Sequence, residues 1–424
     1  MLLSSDLRTR ASSVAARLAD ALTAPPPAHA GNDQASTREL WRGQSLAAGA
    51  AGVAVLHGLR ARDGAGSWAT VDAWLRAATR DKLSVGARAG LWLGAPALAF
   101  TLATATPPGR YRSARQHLDS AVAEMIDRRL AAANRRINAG QRPERAEYDL
   151  VRGLTGLGAH LLTSRPDADQ LRRVLTYLVR LAEPLPAIGT GGLTLPGWWS
   201  GDLPIGAPAD AFADGHADLG MAHGVAGPLA LLALAHRQGI VVPGHIHALH
   251  RICDWLDAWR QDSPTGPWWP EKITLSELGA GRPAQAGPGR VSWCYGAPGL
   301  ARAQQLAALA LADTPRQKRA EAALAACIED PVQVARLVDP TLCHGLAGLV
   351  ATVHHAAADA RYHPLGSHLP ALADQLLDSL DLAEPASRRA PGLIEGTAGI
   401  AAVLHGLATD STATWETVLL LGRT

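Results

Sequence analysis

The sequence predicts an all-α protein, a seven-fold α/α toroid in which inner and outer helices form a double barrel. Three observations carry this expectation. A short Gly-centred phrase recurs seven times along the 424 residues. Each copy opens a run rich in Ala and Leu, both good helix formers. Between the copies lie amphipathic segments with charged faces, the pattern of helices half exposed to solvent.

Taken in order, residues 1–24 read as an N-terminal helix and 25–44 as a Pro-rich connector. Residues of about 45–424 read as seven helix hairpins, the whole being one domain, 1–424. The copies are AGAAGVAVL around Gly49, LGAPALAFTL around Gly94 and RGLTGLGAHLL around Gly153. HGVAGPLALLALA follows around Gly224, YGAPGLARAQQLAA around Gly296, HGLAGLVATV around Gly345 and EGTAGIAAVL around Gly396. Six read Gly-x-x-Gly, and the second has Ala97 at the later position. The run from Gly224 has Pro228 in its first turn and stops at Gly239, as helix punctuation predicts. These runs are apolar on most faces, so they form the inner ring. The segments 112–134, 169–181, 246–260 and 315–326 supply outer helices. The glycines are expected to let the inner helices start close together, because a Cβ would crowd the neck. Successive copies are 45, 59, 71, 72, 49 and 51 residues apart. The two longest intervals carry Gly/Pro-rich loops, around GTGGLTLPGWWSGDLPIG and TGPWWPEK. Such loops in a compact domain are usually functional. The Trp pairs 198–199 and 268–269 in these loops read equally as site wall and as core.

Composition bounds the function classes. Hydrophobic residues make up 47% and charged residues 18%, enough for a large core, which excludes extensive disorder. Forty basic against 38 acidic residues leave a net charge of +2, with no footprint for nucleic acid. Four cysteines in this length are not a disulfide scaffold. The N-terminus carries Asp6, Arg8, Arg10, Arg17 and Asp20 and no signal-like apolar run, so a reducing, cytoplasmic setting is expected.

Chemistry concentrates at one repeat position. The residues just before the first Gly of each copy are Ala48, Leu93, Arg152, His223, Tyr295, His344 and Glu395. The last five are polar and belong at one mouth of the ring. One position earlier, copies five and six carry Cys294 and Cys343. Two Cys and one His at neighbouring helix starts are a donor set for zinc, which in catalytic sites keeps three protein ligands and one open position. Both cysteines read equally as small residues buried beside glycine, and periodicity leaves the two readings open. Cys253 and Cys327 fall in outer segments and read as packing residues. No phosphate loop, HExxH or acidic metal box is present.

GMAHGVAG at 220–227, SWCYGAPG at 292–299 and LCHGLAG at 342–348 resemble the three signature segments of the lanthionine synthetase C family, the lanthipeptide cyclases. YDLVRGLTG at 148–156, TLPGWW at 194–199 and the Arg four residues before Cys294 extend the resemblance. It covers about Ser45 to Gly406. It implies a seven-fold toroid of the stand-alone class I type, with one Zn²⁺ per chain on Cys294, Cys343 and His344. It implies acid–base roles for His223 and Asp149, and active-site positions for Arg290 and Tyr295. The implied reaction adds a peptide cysteine thiolate to dehydroalanine or dehydrobutyrine, closing a thioether ring. The implied partners are a dehydrated precursor peptide with its leader, a lanthipeptide dehydratase and an export transporter. The implied location is the cytoplasm, peripheral to a membrane biosynthetic complex. The alternative is a family-like protein that binds zinc and a thiol such as glutathione as a scaffold, without cyclising anything.

The chemistry wants these residue types. A free thiol with a pKa of ~8.5 is mostly protonated at neutral pH, and a zinc ion deprotonates a coordinating thiol outright. Addition leaves an enolate. Arg290 is placed to stabilise it, His223 to protonate the α-carbon, and Asp149 to orient the imidazole or take the cysteine proton. Tyr295 is placed to hydrogen-bond the substrate or a water at the metal.

Overall fold

The computed structural model describes residues 3–26, 42–186, 192–204, 210–337, 339–380, 390–409 and 414–422. Most of the connector 25–44 lies outside the described residues. The helices in chain order are α1 (Ser5–Asp20), α2 (Ala50–Arg62), α3 (Trp68–Ala78), α4 (Ala95–Ala105) and α5 (Arg112–Asn138). Then come α6 (Arg145–Tyr148), α7 (Leu154–Ser164), α8 (Asp169–Leu181), α9 (Ala226–Arg237), α10 (His245–Ala258) and α11 (Leu275–Ala280). The last are α12 (Ala297–Leu311), α13 (Thr314–Glu329), α14 (Pro331–Val334), α15 (Leu346–Asp359), α16 (Leu369–Asp378) and α17 (Thr397–Thr409).

Each of the seven Gly-centred copies opens an inner helix: α2, α4, α7, α9, α12, α15 and α17. Every inner helix packs on the next, and α17 returns to α2, so the ring is closed. The outer partners of the first six are α3, α5, α8, α10, α13 and α16. The seventh inner helix has no outer helix after it among the described residues. Its partner is α1, which packs along α17 and reaches α16 through Arg10 to Asp374 and Asp378. The N-terminal helix thus completes the outer ring that the sequence set it apart from. The outer helices are amphipathic for a plain reason: α8 buries Leu171, Val174, Leu175, Leu178 and Leu181 inward and leaves its arginines outward.

The glycines act on their own loops more than on neighbouring helices. A Cβ on Gly52, Gly156, Gly299, Gly348 or Gly399 would fall inside contact of the carbonyl oxygen six residues earlier. The later Gly of the six Gly-x-x-Gly copies therefore lets the entering loop fold tightly onto the first helical turn. Those loops are stitched into a belt. The amide of Leu150 donates to Ala222 (3.1 Å), Met221 to Cys294 (2.8 Å), Cys294 to Cys343 (3.3 Å) and Cys343 to Ile394 (3.0 Å). Ile394 donates to Ala47 (3.1 Å), and Leu46 to Trp92 (3.0 Å). The remaining step, between the second and third copies, is bridged by Arg129, which bonds the carbonyls of Ala89 and Arg152.

Residues 414–422 fill the lumen. Thr417 bonds Thr163 on α7 (2.9 Å), His355 on α15 pairs with Glu416 (3.2 Å), and Arg302 on α12 donates to the Leu421 carbonyl. A segment that touches three inner helices at once lies inside the ring. Trp415, Val418, Leu419, Leu420 and Leu421 are all buried there.

Among the described residues, four short strands break the all-helical expectation locally. β1 (His216–Asp218) pairs antiparallel with β4 (Lys272–Thr274), and β2 (Gln261–Ser263) with β3 (Gly266–Trp268). The β1–β4 ladder ties the two long loops together and sets Asp218 opposite Lys272. The Trp pairs are core and not site wall. All four are buried; Trp198 packs edge-on against Trp255, and Trp269 donates to the Leu256 carbonyl on α10. Trp198 and Trp269 peg the long loops to the outer ring, and Trp199 and Trp269 bury their rings while their N–H groups reach the carbonyls of Asp214 and Leu256. Among the described residues no helix is long and apolar enough to cross a membrane.

Candidate metal and acid–base site

The belt brings the starts of copies three to seven together in ring order. Cys294 and Cys343 stand just before the fifth and sixth copies. The 3.3 Å bond from the Cys294 amide to the Cys343 carbonyl clamps the two loops. One ligand atom each from Cys294, Cys343 and His344 lies within 4.8 Å of the others. Tetrahedral zinc with Zn–S of ~2.3 Å and Zn–N of ~2.0–2.1 Å needs donors ~3.6–3.8 Å apart, so the trio fits with small adjustment. Cys294 is buried, and the side chain of His344 is 26% exposed, which leaves an approach from the mouth.

The electrostatics favour a thiolate here. The Cys294 thiol is pulled down to about 5, first by the hydrogen bond from Cys343 and then, against its burial, by His344. The Cys343 thiol is pushed up by the same bond. His344 Nε2 lies 3.1 Å from Asp339 Oδ2, and that bond, with help from Cys294, raises the imidazole to about 10. Asp339 falls to about 2 in return. With Nε2 committed to Asp339, Nδ1 is the nitrogen left for a metal. Cys253 and Cys327 contrast sharply: burial pushes both to about 12, so they stay inert thiols.

Next along the belt is the acid–base pair. Asp149 ends α6 and is almost wholly buried. Its Oδ1 accepts the amides of Arg152 (2.6 Å) and Gly153 (2.8 Å), and Oδ2 accepts from His223 Nδ1 (2.7 Å). The carboxylate is only an acceptor, so Nδ1 carries the proton and Nε2 is free. Burial pulls the His223 pKa down, but the bond and charge of Asp149, with Asp218, raise it on balance. The His223 side chain is 36% exposed.

Tyr295 links the two halves. Its ring centre is 6.3 Å from that of His223, and its hydroxyl donates to Asp218 Oδ2 (3.0 Å). Burial first, then Asp218, pushes the phenol up, so it remains a neutral donor. Lys272 Nζ lies 4.6 Å over the Tyr295 ring, a cation–π geometry. Asp218 is fully buried; its Oδ1 accepts the Gly220 amide (3.0 Å) and Arg145 Nη1 is 3.7 Å from Oδ2.

The structure therefore gathers Cys294, Cys343 and His344 into one cluster, and pairs His223 with Asp149 beside Tyr295. Arg290 is different. Its side chain is exposed and makes no hydrogen bond or ion pair among the described residues. Sequence reading missed Asp218, Asp339, Arg145 and Lys272. Two of these carry a register signal. Asp218 and Asp339 both stand six residues before the first Gly of their copies, where Arg290 stands in copy five.

Comparison with known proteins finds a family and relatives that this chain resembles. The sequence family described as lanthionine synthetase C-like protein matches residues 40–420. The nisin biosynthesis protein NisC of Lactococcus lactis subsp. lactis is 25% identical over 207 residues, which are 48% of this chain and 48% of that protein. The match thus spans about half the length of that curated relative. A solved structure of a nisin cyclase superposes with a TM-score of 0.77 at 18% identity, covering 99% of this chain and 98% of the other. At that identity the superposition speaks to the toroid fold.

Proposed function

The chain belongs to the lanthionine synthetase C-like family, and from that premise we propose that it is a zinc-dependent lanthipeptide cyclase. The reaction joins the sulfur of a peptide cysteine to the β-carbon of a dehydroalanine or dehydrobutyrine in the same peptide. The S–H proton leaves, the S–C bond forms, the alkene electrons move onto the adjacent carbonyl, and a proton arrives at the α-carbon. No oxidant or reductant is consumed. Cys294, Cys343 and His344 would hold the zinc, which would lower the pKa of the incoming thiol and keep it as thiolate.

The remaining work falls to the chain's own side chains. His223 presents Nε2 to the mouth, and its raised pKa keeps the imidazolium populated near neutrality, so it protonates the α-carbon. Asp149 fixes the ring orientation and stabilises the imidazolium. Tyr295, neutral and anchored by Asp218, orients a substrate carbonyl or water beside the reacting sulfur. Arg290 extends from the mouth, and meets the enolate oxygen only once substrate is bound.

The observation that carries the proposal is the Asp149–His223 pair beside the Cys/Cys/His trio. A scaffold that merely holds zinc and a small thiol such as glutathione needs the trio alone. The test is incubation of zinc-loaded protein with a dehydrated precursor peptide. Free thiols are then alkylated and the product weighed, because ring closure leaves the peptide mass unchanged. Loss of alkylatable thiol beyond the uncatalysed background supports the cyclase. Zinc and thiol binding with no gain over background supports the scaffold. The substrate carries its leader, and the dehydratase and export transporter stand upstream and downstream of the reaction.

A further inference from the structure

Addition of sulfur to the alkene puts a negative charge on a carbonyl oxygen. A donor already in place stabilises that charge best, because nothing has to reorganise as it develops. Arg290 is exposed and unpaired, so nothing fixes its guanidinium before substrate arrives. Arg145 is fixed but committed. Its Nε bonds Asp202 (2.9 Å), its Nη2 the Leu203 carbonyl (3.3 Å), and its Nη1 lies 3.7 Å from Asp218. Lys272 is fixed and still has protons to offer. The β1–β4 ladder sets it directly opposite Asp218, and opposed residues of an antiparallel pair put their side chains on one face. Asp218 anchors the Tyr295 hydroxyl, and Lys272 Nζ stands 4.6 Å over the centre of that same ring. Tyr295 follows Cys294 in the chain, and the His223 ring centre is 6.3 Å from the Tyr295 ring. The ammonium thus sits at the phenol that joins the trio to the acid–base pair. Among the described residues its ion pair is with Glu271, long at 3.8 Å and with a partner 41% exposed. Such a pair contributes little, and an ammonium carries three donors.

We propose that Lys272 is a catalytic residue whose ammonium receives the enolate oxygen. The role rests on the cyclase reading. The sulfur bonds the β-carbon, and the alkene pair moves onto the carbonyl oxygen. Lys272 donates a hydrogen bond to that oxygen and keeps its proton. His223 then gives its Nε2 proton to the α-carbon as the electron pair returns. Arg290 joins from the mouth once substrate is bound, whereas Lys272 is in place beforehand. With its side chain 20% exposed, Lys272 is screened by water less than a fully exposed arginine.

The test uses the full chain loaded with zinc and two small thiols, 3-mercaptopropanoate and 3-mercaptopropanamide, titrated by calorimetry. The carboxylate of the first stands the same number of bonds from sulfur as the enolate oxygen; the second has the same shape without the charge. The carboxylate should bind more tightly. Lys272→Met keeps an apolar stem on the Tyr295 ring and should shrink that preference by about three- to tenfold, one partly screened bond to a charged group. Lys272→Gln, neutral and polar, should do the same, and Lys272→Arg should retain most of the preference. On a dehydrated precursor that closes one ring, Lys272→Met should lower kcat by about 10²-fold, the lower end for a lost oxyanion donor. KM should stay within about twofold, because the oxygen is charged only after addition. Zinc content and melting temperatures matched to wild type show that the variants fold. A carboxylate preference unmoved in both neutral variants, or a loss seen in KM alone, overturns the role and leaves Lys272 as a prop for the Tyr295 ring. No rings from wild type, with the preference still lost in Lys272→Met, keeps the ammonium at the thiol site and removes the cyclase reading. Rings at the wild-type rate in Lys272→Met keep the cyclase and remove the role of Lys272.

Discussion

Replacing Asp149 by Asn isolates the proton chemistry from the metal and from the fold. Asn keeps an acceptor for the amides of Arg152 and Gly153, now 2.6 and 2.8 Å from Oδ1, so the loop before α7 should hold its shape. What changes is the face toward His223. The 2.7 Å charge-assisted bond to Nδ1 is lost, and an amide N–H forces Nδ1 to accept, moving the ring proton to Nε2. A hydrogen bond to a charged group contributes about 1.5–3 kcal/mol when shielded; with the His223 side chain 36% exposed, solvent screening discounts it to about 1–2 kcal/mol. Ring formation should therefore slow by about 5–30-fold, short of the ~10²–10⁴-fold expected for His223→Ala. The pH profile is the sharper measurement. In wild type Asp149 holds the His223 pKa above its ordinary value, so the protonated donor persists as pH rises through neutrality. Without that carboxylate burial prevails, the pKa drops, and the fall in rate moves to lower pH. The same sign governs stability: the ion pair contributes below the ordinary ~6.5 of histidine and fades as pH rises through the raised value. The assay is thiol alkylation and mass on a dehydrated peptide, with zinc content measured alongside. An Asp149→Asn protein that retains zinc and shows the wild-type rate and the same alkaline limb would refute the acid role of His223.

Other outcomes follow from the same geometry. Cys343→Ala should lose bound zinc and ring formation together, whereas His223→Ala should keep the metal; elemental analysis of the purified variants decides. Asp339→Asn should weaken zinc binding by ~10–100-fold, the usual loss when the partner of a ligating histidine is removed, read by competition with a chelator. Arg290→Ala should leave the melting temperature unchanged, because the side chain is exposed, and should slow ring closure; an unchanged rate removes Arg290 from the site. Leu421→Ala, in the buried lumen segment, should cost about 2–5 kcal/mol of stability in chemical denaturation, and a change near zero would show that the segment does not hold the lumen closed.

The seven-fold pitch, the inner helices and the identity of the mouth residues were all legible in the chain, because each rests on local chemistry. Gly-x-x-Gly packs against a carbonyl six residues back, apolar runs demand burial, and the residue before the Gly is carried to the same height in every copy. That register alone put Cys294, Cys343 and His344 on neighbouring loops. What local pattern could not decide were pairings across the ring. Asp149 reaches His223 from 74 residues away. The N-terminal helix closes the outer ring on α17, and residues 414–422 fill a lumen that exists only once seven inner helices have met. Tyr295 is anchored by Asp218 through a two-stranded ladder between two loops that read as irregular. The Trp pairs were ambiguous for the same reason: Gly/Pro neighbours report loop backbone, not what the indole rests on. Arg290 matches its motif position yet points to solvent, since a long side chain on a loop is steered by neighbours that only the folded ring supplies.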